Sequence, residues 1–216
     1  MSIPLNTYFV VTPSSQFISK AYATLNGTDL FIYVNETNTL SAINMNSTVT
    51  TASPGSVTYT LAVNAAWTGV VSRPGICNVY YADLNGVVWY IPYKTFGGPP
   101  PTPVQLTNVM PPFPAKVTTF SVIYTPQTTP PAYMMMTFDG VYHRIYVASD
   151  PLFVSLLAPT QITYNNALAP TFFVTEPNIS MHPLDTVNLT VFCQQLNENN
   201  SVVQVGFYGV AAPGVS

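Results

Sequence analysis

The sequence predicts an all-β fold, and three observations support this prediction. The 216 residues include 27 Thr and 14 Tyr, which favour pleated strands, together with 21 Pro and 17 Asn, which interrupt helices. Short runs of alternating apolar and polar residues recur from one end of the chain to the other. Asn-Gly or Asp-Gly pairs separate several of these runs, and such pairs are typical of tight β-hairpins.

The alternating runs define the predicted strands, and Gly-rich or Pro-rich segments separate them. The predicted strands are Tyr8–Val11, Phe17–Thr24, Asp29–Val34, Val57–Val63, Cys77–Ala82, Val87–Tyr93, Thr118–Tyr124, Tyr133–Thr137, Val141–Val147, Phe153–Leu157, Thr171–Thr175, Val187–Gln194 and Ser201–Tyr208. The clearest turns are Asn26-Gly27, Asn85-Gly86 and Asp139-Gly140.

The hairpins around these turns are similar to one another. Ala21–Val34 and Val79–Tyr93 share an apolar run, an Asn-Gly turn and an aromatic-rich return strand, and Met135–Val147 follows the same plan. With a degenerate fourth turn at about Asn199, the turn positions are 59, 54 and 59 residues apart. This pattern resembles the blades of a β-propeller, and the resemblance implies a single four-repeat domain over residues 1–216 with about 54 residues per repeat. Tyr8–Val11 is expected to complete the last blade.

Two β-sandwich or jelly-roll domains are the alternative architecture. They would cover residues 1–108 and 109–216, with the division near the Pro-rich region Gly97–Pro114. A period of about 110 residues, which pairs the first hairpin with the third and the second with the fourth, is compatible with the same spacing. The first and second hairpins are more alike, and this favours the repeat of about 54 residues.

Charged residues make up only 6% of the chain, which is about a quarter of the share in an ordinary soluble domain. The cations are Lys20, Arg73, Lys94, Lys116 and Arg144. Five scattered cations cannot neutralise a row of phosphates, so nucleic acid is not an expected partner. No apolar stretch reaches the length of a membrane-spanning helix. Acid unfolds proteins mainly by protonating carboxylates that are paired in the folded state. Because this chain has only eight acidic residues, we expect it to be stable in acid.

The surface composition is typical of an extracellular protein, although the N-terminal residues do not have the pattern of a secretory signal. Asn-x-Ser/Thr sequons, which are acceptors for N-glycosylation, occur at Asn26, Asn35, Asn46, Asn178, Asn188 and Asn199. Thr- and Asn-rich turns would produce some of them by chance. Cys77 and Cys193 lie in apolar runs, which fits two buried thiols or one disulfide.

The chemistry of catalysis is sparsely represented, and we expect no catalytic residues, metal ligands or cofactor. His143 and His182 are the only histidines, and no phosphate-binding loop, dinucleotide fingerprint or nucleophile elbow occurs. Asp83 and Asp139 occupy similar hairpin positions. They could form a glycosidase carboxylate pair, but turn chemistry explains both more simply. A secreted glycosidase is therefore the least favoured hypothesis.

Glycan binding is a stronger hypothesis, because aromatic rings stack on sugars while amides and carboxylates hold their hydroxyls. The same aromatic residues also build β-sheet cores, which is the favoured explanation for Trp89 in the middle of a strand. Trp67 is expected in a loop. The candidate glycan-binding residues are Trp67, Trp89, Tyr90, Asp83, Asp139 and Tyr142.

Little charge, abundant Thr, Asn, Tyr and Pro, and no export signal together resemble the composition of virion surface proteins from viruses of hot, acidic habitats. The resemblance implies a non-enzymatic structural or attachment subunit on the surface of a virion or extracellular assembly. Its expected partners are copies of itself, other surface subunits and host glycans. The alternative is a propeller lectin, whose sites would recur at equivalent positions of the blades.

Overall fold

A computed structural model of the chain describes residues 17–44, 58–111, 114–126, 131–140, 142–158, 164–165, 173–181, 188–196 and 202–211. The strands in these ranges form four antiparallel sheets, and the strands of each sheet follow one another in the chain. We call these sheets blades 1 to 4. The predicted strand Tyr8–Val11 lies outside the described residues.

Blades 1 and 2 are four-stranded meanders. Blade 1 consists of β1 (Phe17–Leu25), β2 (Thr28–Asn35), β3 (Thr39–Asn44) and β4 (Thr58–Val63). Blade 2 consists of β5 (Ala65–Arg73), β6 (Ile76–Asp83), β7 (Val88–Tyr93) and β8 (Val104–Gln105). One turn of 3-10 helix, Thr107–Val109, follows blade 2.

Blades 3 and 4 repeat the plan with differences at the outer edge. Blade 3 consists of β9 (Thr119–Thr125), β10 (Ala132–Phe138), β11 (Tyr142–Ala148) and β12 (Leu156–Ala158), with β13 (Tyr164–Asn165) also paired to β11. Blade 4 consists of β14 (Phe173–Met181), β15 (Asn188–Leu196) and β16 (Val202–Ala211).

The first strands of the blades lie next to one another: β1 contacts β5, β5 contacts β9, and β9 contacts β14. Two apolar cores fill the spaces between successive sheets. Leu30, Ile32 and Leu40 of blade 1 pack with Val79 and Ile91 of blade 2. The opposite face of blade 2 packs on blade 3 in a second core. The structure therefore confirms the all-β, four-repeat, propeller-like fold. The boundaries of the single domain, residues 1–216, stay a prediction.

The central strands are covered on both faces, which is what successive stacking of sheets requires. In β6 the residues from Cys77 to Ala82 are all buried, and in β10 every residue is buried. Adjacent residues of a strand point to opposite faces of its sheet. Met135 accordingly belongs to the core shared by blades 2 and 3, whereas Met134 and Met136 lie on the other face of β10 and are also fully buried.

Four of the described strands were missed in the sequence, namely β3, β5 and the two-residue strands β8 and β13, and one predicted strand is wrong. β3 and β5 lack a dense β-branched pattern, and β5 contains Gly69, so their pairing is decided by neighbouring strands rather than by propensity. The predicted strand Phe153–Leu157 begins instead at Leu156. The Asp150 carboxylate accepts backbone N–H groups of Leu152, Val154 and Ser155 at 3.0–3.2 Å, which holds this segment in a turn.

Candidate binding cleft

A cleft of about 440 Å³ opens at one end of blades 1 and 2. It lies between the β1–β2 turn and the β5–β6 turn, which come together because β1 and β5 are neighbours. The residues lining it are Thr24, Asn26, Gly27, Ser72, Arg73, Pro74 and Gly75. We call this end of the blades the cleft end.

Local sequence and one tertiary hydrogen bond form the walls of the cleft. Asn26 and Gly27 both have positive φ, at 51° and 78°, as a two-residue hairpin turn of the mirror-image type requires. The backbone N–H of Thr24 donates to Ser72 Oγ at 2.7 Å, which joins the first wall to the second. Asn26 Nδ2 donates to the backbone oxygen of Lys94 at 3.5 Å.

Among the described residues that line the cleft, Arg73 is the charged one. Its Nη1 donates to the Tyr133 hydroxyl at 2.6 Å, and its guanidinium carbon lies 4.2 Å from the centre of the Tyr124 ring. The hydrogen bond to Tyr133 raises the pKa of Arg73, and burial lowers it by less, so the side chain stays cationic. Because a guanidinium carries five N–H donors, these contacts leave it able to donate to a ligand as well.

A buried polar network holds the partner of Arg73 in place. Asn78 Nδ2 donates to the Tyr133 hydroxyl at 3.2 Å, and the Tyr90 hydroxyl donates to Asn78 Oδ1 at 2.8 Å. Tyr90, Asn78 and Tyr133 are all buried. The orientation of the guanidinium is therefore fixed by side chains of both blade 2 and blade 3.

The lining of the cleft defines the ligands that it can accept. It combines one cation with the side-chain hydroxyls of Thr24 and Ser72 and the amide of Asn26, and none of its described lining residues carries a carboxylate. Such a surface donates hydrogen bonds to oxygen atoms of a neutral or anionic ligand. Its volume lies in the range of small-molecule sites.

The predicted glycan-binding residue Asp83 lies at the end of β6 opposite the cleft end. Its Oδ1 accepts the backbone N–H groups of Asn85 at 2.8 Å and Val87 at 3.0 Å. Its Oδ2 accepts Nε1–H of Trp89, another predicted site residue, at 3.0 Å. The Trp89 ring stacks on Tyr81, with centroids 6.4 Å apart. The structure thus brings Asp83 and Trp89 together within their own hairpin.

Trp67 and Tyr90 lie between blades 2 and 3. The expectation that Trp67 occupies a loop is wrong, because it belongs to β5 and its Nε1 donates to the backbone oxygen of Phe120 at 2.9 Å. Tyr90 is buried in the same core and donates to Asn78.

Asp139 forms a buried ion pair with Arg144. The strand position of Tyr142 is at the start of β11, but its side chain falls outside the described part of the structure. Asp139 and Tyr142 belong to the β10–β11 turn, which corresponds to the β6–β7 turn of blade 2. Of the five candidate glycan-binding residues whose side chains are described, none lines the cleft, and the assignment of all six to a glycan remains a prediction.

The sequons fall in several environments. Asn26 lines the cleft, and Asn35 Oδ1 accepts hydrogen bonds from Thr37 and Thr39 in the β2–β3 turn. Asn178 and Asn188 are strand residues of blade 4, while Asn46 and Asn199 lie outside the described residues.

Cys77 is a buried free thiol, and burial raises its pKa to about 12.

Sequence reasoning missed Arg73, Ser72 and Thr24 as site residues. The one local signal was an arginine immediately before Pro74-Gly75, in a chain with only five cations. Within the described ranges, no three His, Cys, Asp or Glu side chains are grouped so that they could hold a metal ion. The same described residues include no helix with the length and hydrophobicity needed to cross a membrane.

No protein-family model matches the sequence, and no curated protein matches it either. Several solved structures are similar. A mutant of the NanB sialidase from Streptococcus pneumoniae has a TM-score of 0.53 and 14% identity over 87% of this chain and 29% of its own. A sialidase from Trypanosoma rangeli has a TM-score of 0.47 and 12% identity over 82% and 34%. The Nup133 β-propeller domain of Vanderwaltozyma polyspora has a TM-score of 0.38 and 10% identity over 94% and 59%.

This chain therefore spans less than a third of the length of the NanB chain that it resembles. At 14% identity the likeness concerns the fold and not the chemistry of a site. The contacts between blades and the likeness to NanB lead to the same conclusion, that this chain has a four-repeat, propeller-like β fold.

Proposed function

We propose that the chain is a non-enzymatic glycan-binding propeller that serves as an attachment or structural subunit on the surface of a virion or extracellular assembly. The observation that carries the glycan-binding part is the cleft at the ends of blades 1 and 2, where Arg73, hydroxyls and an amide surround about 440 Å³. The likeness to a sialidase concerns the fold, so the argument for a sugar rests on this cleft.

The size and chemistry of the cleft suit the terminal one or two sugars of a glycan. Sugars offer many oxygen acceptors, and a guanidinium fixed by Tyr133 and Tyr124 can donate to them with little loss of side-chain entropy. The Thr24 hydroxyl donates to Asp29 Oδ1 and is left as an acceptor, whereas the Ser72 hydroxyl accepts the Thr24 N–H and can donate to a sugar oxygen.

Binding without hydrolysis is supported by the composition of the lining. Glycoside hydrolysis commonly requires a pair of carboxyl groups flanking the bond to be cleaved. Among the described residues that line the cleft there is neither Asp nor Glu, and the Asp83 and Asp139 carboxylates are engaged in their own hairpins at the other ends of the strands. A lectin-like role needs no such pair.

The location on a virion or extracellular assembly is supported by composition. A surface with few charges and many hydroxyls and amides keeps its properties when the pH of the medium changes. Attachment through a glycan and a place on an exposed particle surface are compatible roles for one subunit.

A glycan array with the full chain tests the proposal, using both neutral and acidic terminal sugars. We expect Arg73→Gln to weaken binding of any positive glycan by about 10- to 100-fold, because it removes hydrogen bonds from a charged donor. Arg73→Lys keeps the charge without the planar fork and should retain part of the affinity.

Lys116→Ala is the matched control, since this exposed cation lies away from the cleft lining. It should leave affinity unchanged, and thermal unfolding should show that all variants are folded. Failure of the wild-type chain to bind any glycan would contradict the proposal, as would binding that Arg73→Gln leaves intact. Release of sugar from a positive glycan would contradict the non-enzymatic assignment.

A further inference from the structure

Two hairpin turns of the chain carry the same three residues, Leu-Asn-Gly. They are residues 25–27, between β1 and β2, and residues 84–86, between β6 and β7. Asparagine is a thermolabile residue, and a following glycine exposes it further, because no side chain shields the glycine nitrogen. Since the local sequence is the same, a difference in reactivity between the two turns has to come from the fold.

The reaction in question is deamidation. The backbone nitrogen of the glycine loses its proton to base in the solvent and attacks Cγ of the asparagine, which requires the two atoms to approach within about 3–3.5 Å. The new C–N bond closes a succinimide ring, and the bond between Cγ and Nδ2 breaks as ammonia leaves with a proton from the solvent. Water then opens the ring at either carbonyl, which gives aspartate or isoaspartate. The net reaction takes up one water and releases one ammonium ion, with no oxidation or reduction.

Little in the described structure opposes this approach in the β1–β2 turn. Asn26 and Gly27 are both exposed, and among the described residues no atom lies within 4 Å of a Cβ placed on Gly27. The Asn26 amide donates to the backbone oxygen of Lys94 at 3.5 Å, which is longer than an ordinary hydrogen bond of this kind. The turn can therefore open locally at a small cost in free energy.

The β6–β7 turn is held at the atoms that would react. The N–H of Gly86 donates to the backbone oxygen of Asp83 at 2.9 Å, and the oxygen of Gly86 accepts the N–H of Val117 at 3.2 Å. Asp83 Oδ1 also accepts the N–H groups of Asn85 and Val87. Gly86 is buried, although Asn85 itself is exposed. Opening this turn breaks backbone hydrogen bonds on both sides of the glycine.

We propose that Asn26 is a site of spontaneous deamidation, and that the fold protects Asn85 from the same reaction. Asn26 lines the cleft together with Arg73, and none of the described lining residues carries a carboxylate. Deamidation therefore adds a negative charge to the cleft. The isoaspartate product also lengthens the backbone of a two-residue turn, whose geometry depends on its exact length.

The modification changes which ligands the cleft can accept. The new carboxylate accepts hydrogen bonds where the Asn26 amide donates, so the bond to the Lys94 oxygen is lost. A negative charge in the same cleft as Arg73 weakens the attraction of the guanidinium for an acidic sugar. This effect on the ligand rests on the proposed function, whereas the modification itself does not.

Peptide mass spectrometry tests the modification without any glycan. The full chain, made without N-glycans because Asn26 is also a sequon, is incubated in its folded state at about pH 8 and about 37 °C. Deamidation raises the mass of a peptide by about 1 Da. We expect the rate at Asn26 to exceed that at Asn85 by at least about 10-fold, because two backbone hydrogen bonds of Gly86 oppose the opening of its turn.

Two controls separate the fold from the sequence. In urea, where both turns are unfolded, the rates at Asn26 and Asn85 should agree to within about threefold, because the Leu-Asn-Gly sequence is shared. Gly27→Ala shields the attacking nitrogen, so it should slow the reaction at Asn26 and leave the rate at Asn85 unchanged.

Three results overturn the proposal. The first is an Asn26 that stays intact in the folded chain, and the second is an Asn85 that reacts as fast as Asn26 in the folded chain. The third is a preference for Asn26 that persists in urea, because the selectivity would then belong to the sequence and not to the fold.

Discussion

Gly86, in the β6–β7 turn, is packed so closely that a side chain cannot be added without movement. Its φ is +75°, and a Cβ atom there would lie 2.5 Å from Lys116 Cβ and 2.8 Å from the backbone nitrogen of Val117. The Val117 N–H donates to the Gly86 oxygen at 3.2 Å, so the segment that leads into blade 3 rests on this turn. The glycine is needed both for its conformation and for the close approach of a second backbone.

Gly86→Ala should therefore lower the free energy of unfolding by about 2–4 kcal/mol, through backbone strain and the displaced Lys116–Val117 segment. Gly27→Ala is the matched control, because Gly27 has φ +78° but no atom within 4 Å of the added Cβ. It should cost about 1 kcal/mol. Urea unfolding measures both variants, and equal losses would contradict the role given to the close contact.

Asp83 and Trp89 illustrate how a residue chosen as a site candidate can have a structural role in its hairpin. The prediction selected them because carboxylates and aromatic rings contact sugars. In the structure one carboxylate oxygen closes the Asn85-Gly86 turn and the other accepts the indole N–H. Residue type alone does not distinguish these roles, because the same hydrogen-bonding groups serve both.

At the scale of the strand, β10 distinguishes stacked blades from a two-layer sandwich. In a sandwich each sheet has one face towards solvent, whereas a stacked blade is covered on both faces. Adjacent residues Met135 and Met136 point to opposite faces, and both are fully buried.

Met135→Ala and Met136→Ala should therefore each lower the free energy of unfolding by about 2–5 kcal/mol, as expected for large-to-small changes in a core. Val154→Ala, at an exposed position, should change it by less than about 0.5 kcal/mol. Chemical denaturation of the three variants measures these effects. A large loss for one methionine variant and a negligible loss for the other would indicate a sheet with one solvated face.

Strands with a dense β-branched or aromatic pattern were located closely, including β4 and β9, which do not flank an Asn-Gly or Asp-Gly turn. β1, β2, β6, β7, β10 and β11 flank Asn-Gly or Asp-Gly turns and were located to within one or two residues. β3 and β5 have neither signal and were missed. Their strand conformation depends on pairing with β2 and β6, which is not encoded in their own composition.

At the scale of the whole molecule, the cores contain several buried tyrosines, so the free energy of unfolding should decrease at alkaline pH. Burial raises the pKa of both Tyr81 and Tyr90 to about 12, against an ordinary value of 10.0, and it raises the pKa of the Cys77 thiol to about 12. In the unfolded chain these tyrosines lose their protons near pH 10, while in the folded chain they keep them to about pH 12. Unfolding in this window releases protons, so raising the pH favours the unfolded state.

We therefore expect the free energy of unfolding to be nearly constant from pH 7 to 8, to begin to fall near pH 9, where the Cys77 thiol of the unfolded chain ionises, and to fall further between about pH 10 and 12. The change from pH 7 to pH 3 should be smaller, because the chain has only eight acidic residues. Urea unfolding from pH 3 to pH 12 measures both the acid and the alkaline dependence of the free energy of unfolding. Tyrosinate absorbance is an independent probe of ionisation. Stability that is unchanged at pH 12 would show that these side chains are not protected by burial.

The turns from which the repeat was predicted are not equivalent, because Asn26-Gly27 joins the first and second strands of blade 1, whereas Asn85-Gly86 and Asp139-Gly140 join the second and third strands of blades 2 and 3. The sequence by itself determined the all-β class and the main hairpin turns. These are local properties, since two residues set a turn and alternation within one strand sets its buried face. Only the tertiary structure decided which side chains meet between blades. Arg73 reaches Tyr133, 60 residues away, and Trp67 reaches Phe120, 53 residues away. Contacts over such separations depend on how whole sheets stack, so the cleft between blades 1 and 2 could be located only in the tertiary structure.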